Sequence, residues 1–127
     1  MQRLTEETVL AVGRLTLAAA ELEYVLARVA ADQAGDDPAT LFAAPGASLL
    51  AARGSVQFAS ADHHNEFSRL LDSAELYLTQ SQRAVRAMWS ERGRVDAVTI
   101  DEITGLLLRC RDRLQALVDE AARRPIA

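Results

Sequence analysis

The residues best equipped for chemistry in this chain are Asp62-His63-His64-Asn65-Glu66, where imidazoles and carboxylates crowd together. Both groups are common ligands of zinc and iron, so the run poses the question of a metal site. Its spacing argues against one. Adjacent positions on a helix point about 100° apart, so His63 and His64 cannot both face one ion. A polar, solvated helix start accounts for the same residues. Glu21, Glu23 and Glu75 raise a second metal question, that of a carboxylate-bridged two-iron centre inside a helical bundle. Such a centre takes a Glu-x-x-His pair from each of two helices. Neither histidine stands three residues after a glutamate. No metal and no cofactor are expected.

The hydroxyls and the basic side chains give little more. Ser55, Ser60 and Ser68 lie in no strand–Ser–helix elbow, and no glycine-rich run could cradle a phosphate. No catalytic residue is assigned. All 14 basic residues are arginine, which weakens any reading built on arginine clusters alone. Arg109, Arg111 and Arg113 alternate and so scatter around a helix. Arg83 and Arg86, three apart, lie on adjoining helix surface, and their planar forks with Gln82 beside them would make a modest anion site. Tyr24, Tyr77 and Trp89 each join an apolar body to a polar tip, the equipment of a small-molecule pocket.

The elements that must position these residues are all helical. From Thr5 to Ala31 there is no proline and one glycine. Val12, Leu15, Ala19, Leu22, Leu26 and Val29 line one face at three- and four-residue steps. Leu10, Gly13, Leu17, Ala20, Tyr24 and Ala27 repeat the rhythm on the opposite face, with Arg14, Glu21 and Arg28 along one flank and Thr16 and Glu23 along the other. A helix packed on one side needs one stripe, so the second stripe predicts a further partner. That partner is either a second copy of the chain or the chain's own residues 38–60.

Gly35-Asp36-Asp37-Pro38 breaks the first helix. Asp37 caps and Pro38 opens a short helix through Ala44. A second helix is expected from Ser48 to about Ser60, using Leu49, Leu50, Val56 and Phe58. A long helix carries Phe67, Leu70, Leu71, Ala74, Tyr77, Leu78, Ser81, Ala84, Val85 and Met88, capped by Asp62 or Ser60. Ser90 to Val98 reads as a loop. Thr99 and Glu102 then form a capping box, with Val98 and Ile103 as its hydrophobic staple. Behind them Ile103, Leu106, Leu107, Cys110, Leu114, Leu117 and Val118 make one stripe. No strand pattern occurs. The expected fold is all-α, a single-domain, up-down helical bundle of three long helices plus one or two short helices.

The composition fits one globular domain. The 127 residues are 50% hydrophobic but only 5% aromatic, so leucine, valine and alanine must build the core. The net charge of −4 splits into −6 over residues 1–80 (5 Arg, 11 acids) and +2 over residues 81–127 (9 Arg, 7 acids). That balance excludes a general nucleic-acid coat. Cys110 is the only cysteine; no internal disulfide is possible, and its place on an apolar stripe makes it a small core hydrophobe. Glu6 and Glu7 interrupt any signal-peptide layout, and no segment has the ~18 apolar residues of a membrane span. A soluble cytoplasmic protein, with no membrane partner, is expected.

The segment Ser81-Gln82-Arg83-Ala84-Val85-Arg86-Ala87-Met88-Trp89 closes a long helix, follows Ala20-Glu21-Leu22-Glu23 in the first, and precedes a last amphipathic helix. This layout resembles the small HEPN-like bundles, helical domains of many prokaryotic ribonuclease toxins and nucleotide-binding partners. The active version of that family places Arg-Asn, three residues and His near the end of such a helix, often before an aromatic. Here Ser81 and Gln82 stand at the Arg-Asn positions and Arg86 at the His position. The resemblance therefore implies a degenerate relative that keeps scaffold and dimerisation without the catalytic pair. The expected function is non-catalytic binding by a homodimer, with a protein, nucleotide or RNA partner. Two alternatives stand beside it. One is an RNase or nucleotide-handling enzyme using Arg83 and Arg86 in a dimer cleft; the other is a small-molecule-binding bundle.

Overall fold

In a computed structural model the described residues of the chain form five helices. The structure describes residues 4–35, 37–44, 46–55, 61–88, 90 and 95–123. Helix α1 spans Glu6–Ala34, α2 Pro38–Ala43, α3 Ala47–Ser55, α4 Ala61–Ala87 and α5 Ala97–Arg123, with no strand among the described residues.

Local chemistry sets the helix ends. Thr5 caps α1, its hydroxyl accepting from the Thr8 N–H at 3.1 Å. Gly35 closes the helix in the left-handed region at φ 74°, where a side chain would be strained. Asp37 caps α2 by accepting from the Ala39 N–H at 3.0 Å, with Pro38 in the first turn. Two expected caps are corrected. Asp62 lies inside α4, and Ser60 falls outside the described residues. The cap of α5 is Asp96 instead of Thr99: its carboxylate accepts from the Thr99 N–H at 2.8 Å. The expected loop therefore ends before Ala97, and Thr99 sits inside the first turn. The second short helix is described over Ala47–Ser55, and Val56, Phe58 and the end expected near Ser60 lie outside the described residues.

The core forms where the three long helices meet. Leu15, Leu22 and Leu26 of α1, Leu71 of α4, and Ile100, Leu107 and Leu114 of α5 are fully buried, with Ala52 of α3 beside them. Each such leucine contributes on the order of 1.5–3 kcal/mol when removed from water. Contacts across the bundle also give the helix directions. Arg14, Glu21 and Arg28 of α1 meet Asp101, Arg111 and Gln115 of α5, so these two helices run the same way. The Cys110 thiol reaches the Leu70 carbonyl and His63 meets Glu120, so α4 runs opposite to α5.

The second face of α1 departs from expectation in one respect. Leu10, Gly13, Leu17 and Tyr24 are exposed and Ala20 is half-buried, but Ala27 is fully buried, as are Ala30 and Ala31. Helices α2 and α3 pack on α1, and Phe42 of α2 reaches Tyr24. Ala27 is removed from the open strip.

Candidate functional site

The open strip is the surface on which the candidate residues converge. Leu10 is 56% exposed, Leu17 67% and Tyr24 40%, all on the side of α1 away from the core. Tyr24 is held at one end by Phe42 of α2, their rings edge-to-face with centroids 5.4 Å apart. This geometry suits the opposed charge of ring edge and ring face. Leu17, Ala20, Glu21, Tyr24 and Val25 of α1, Phe42 of α2 and Arg111 of α5 together line an open cleft of about 490 Å³. Its floor is apolar. Its polar edge is the ion pair of Glu21 with Arg111, whose guanidinium also bonds Asp112 at 2.8 Å. The Asp112 bond, against some loss of solvent and with Glu21 adding to it, holds Arg111 above its ordinary pKa. The cleft has an aromatic wall, an aliphatic floor and a charge pair that is already matched. Such a surface favours an apolar side chain over a free anion.

Arg83, Arg86 and Gln82 occupy a different surface. All three are exposed on α4, and neither arginine has an ion-pair partner among the described residues. Ser81 beside them is buried, its hydroxyl donating to the Leu78 carbonyl at 2.7 Å. The position matched to the HEPN-like arginine thus faces the core while Gln82 and Arg86 face out. Tyr77 is half-buried on α4 against the core and does not line the cleft. Trp89 lies outside the described residues. The structure therefore brings Tyr24 together with Leu17 and Ala20, and leaves Tyr77 and the Arg83–Arg86 pair elsewhere.

The metal candidates are dispersed. His63 pairs with Glu120 at 3.3 Å, Glu21 with Arg111, and Glu75 with Arg53, which also meets Asp72 at 3.1 Å. Among the described residues no three His, Cys, Asp or Glu side chains gather as a metal would require. Cys110 is buried, and loss of solvent pushes its thiol up to about 11; it is no nucleophile near neutral pH.

Val25, Phe42 and Arg111 are cleft residues that sequence reasoning did not assign to a site. Phe42 lies on the predicted short helix, but helical periodicity within so short an element carries no information on where it docks. No family model, no curated protein and no solved structure matches this chain. No helix among the described residues is long and apolar enough to cross a membrane.

Proposed function

We propose that this chain is a binding protein without catalytic activity, acting as a homodimer through the open face of α1. The observation that carries the reading is the exposure of Leu10, Leu17 and Tyr24 in one row on that helix. Contiguous apolar surface of this kind marks an interaction site on a water-soluble protein. A two-fold dimer covers such a patch with itself. In this reading the three long helices follow an up-down path, supported by α5 running parallel to α1 and antiparallel to α4. The protein is a degenerate relative of HEPN-like bundles that works in the cytoplasm on a protein, nucleotide or RNA partner. Light scattering tests the assembly. The wild type is expected to be a dimer at micromolar concentration, and Leu17→Arg, which places a charge mid-strip, to convert it to a folded monomer. A wild-type monomer at hundreds of micromolar overturns the reading.

The cleft favours one second reading, a small apolar molecule held against Tyr24 and Phe42. A wild-type monomer that binds an aromatic probe, with Tyr24→Ala abolishing the binding, would favour it over self-association.

A further inference from the structure

We infer that the second copy lies antiparallel on α1, in a register that sets Gly13 against the partner's Tyr24 and Leu17 against the partner's Ala20. This rests on the homodimer reading above and adds its direction and register.

The first ground is an unexplained glycine. Gly13 sits in the interior of a 29-residue helix, where glycine is less favourable than alanine. A Cβ built on it meets no atom within 4 Å, and its φ is not positive. Nothing within the subunit requires glycine there. A bulky group arriving from outside does.

The second ground is the order of sizes along the strip. Large and small residues alternate as Leu10, Gly13, Leu17, Ala20 and Tyr24. Reversing the helix about a point midway between Leu17 and Ala20 places Leu17 and Tyr24 against small residues, while Leu10 falls beyond the paired stretch, opposite the enclosed Ala27. Gly13 then faces Tyr24 and Leu17 faces Ala20, twice over by symmetry. The partner's Leu17 enters beside Ala20, where the cleft lies. A parallel pair sets Leu17 on Leu17 and Gly13 on Gly13, crowding one layer and leaving the next empty.

The third ground is charge. Glu7, Arg14, Glu21 and Arg28 stand seven apart on one flank and alternate in sign. In an antiparallel pair each flank meets its own copy, so Arg14 falls beside the partner's Glu21 and Glu21 beside the partner's Arg14. Glu7 and Arg28 continue the pattern. In a parallel pair the flank meets the opposite one, which offers Val9 and Thr16 to Arg14 and Glu21. There only Glu23 faces Arg28, near the turns enclosed by α2 and α3. Arg14 and Glu21 already bond Asp101 and Arg111 of α5, yet each side chain remains 53% exposed and can serve both.

Cross-linking tests the register on the full chain. Gly13→Cys and Tyr24→Cys proteins are mixed, allowed to exchange subunits and mildly oxidised. Buried Cys110 stays silent. The mixed 13–24 disulfide is expected to exceed the 13–13 product at least tenfold, because two copies of residue 13 stand about 16 Å apart along antiparallel helices. A 13–13 product that forms as readily, or a dimer that yields no mixed product, overturns the register while the dimer stands. A monomer by light scattering overturns both readings. Gly13→Leu serves as a second variant, since the subunit has room for the side chain. It is expected to keep its circular dichroism and to weaken dimerisation at least tenfold; a folded variant with unchanged affinity also overturns the register.

Discussion

Glu23 shows how a residue's role depends on what the fold places around it. In sequence it is one of several carboxylates near the strip, distinguished from Glu21 only by lying on the other flank. In the structure Glu21 pairs with Arg111, whereas Glu23 is half-buried and has no ion-pair or hydrogen-bond partner among the described residues. Loss of solvent raises its pKa above the usual 4.5 because the charged form loses more hydration than the neutral one. A raised folded pKa adds stability that is fully present below 4.5 and is lost as pH rises through the raised value. At neutral pH the ionised side chain therefore opposes folding. Glu23→Gln is expected to raise the melting temperature at pH 7 and to leave it unchanged at about pH 3.5, where both states are protonated. Equal gains at both pH values would show that packing, not ionisation, sets the effect.

At the scale of elements, the start of α5 separates what was legible from what was not. Thr99, Glu102, Val98 and Ile103 satisfy the capping-box pattern, but Asp96, three residues before Thr99, is an equally good cap by residue type. Local pattern could not choose between them. Asp96 wins because a carboxylate accepts more strongly than a hydroxyl and its charge is favoured at a helix N-terminus. The Thr99 backbone N–H, and then the Thr99 hydroxyl, hold the Asp96 carboxyl below its ordinary 3.8. That stability is present above 3.8 and lost as pH falls through the lowered value. Asp96→Ala should lower the melting temperature at pH 7 more than Thr99→Ala, which keeps the backbone donor, and thermal melts will rank them. The reverse ranking would restore Thr99 as the cap. The same limit applied to α1. Its two apolar faces were readable from periodicity, but alanine at 27 looks like alanine at 20. Only the docking of α2 and α3 reveals that Ala27 is enclosed.

At the scale of the whole molecule, the all-helical fold was legible because leucine and alanine recur at helical spacing in every long segment. The cleft was not, since it joins residues from α1, α2 and α5 whose proximity is tertiary. The reading of function turns on chemistry that this arrangement withholds. A ribonuclease of the HEPN-like kind needs a group that exchanges a proton near neutral pH, and under the proposed resemblance Arg86 takes the place of the histidine. An arginine remains charged at any physiological pH and cannot act as general acid or base. Ser81, at the arginine position, turns its hydroxyl to the Leu78 carbonyl and is closed to solvent. Arg83 and Arg86 remain able to hold a phosphate on the exposed surface of α4, but as guanidinium groups neither can accept a proton. The purified protein is therefore expected to leave single-stranded RNA uncleaved above a buffer control, measured on a labelled oligonucleotide over hours. Cleavage that disappears in Arg83→Ala or Arg86→Ala would make those arginines catalytic and replace the binding reading with an enzyme. Cleavage that persists in both variants would point to a contaminating nuclease and leave the binding reading in place.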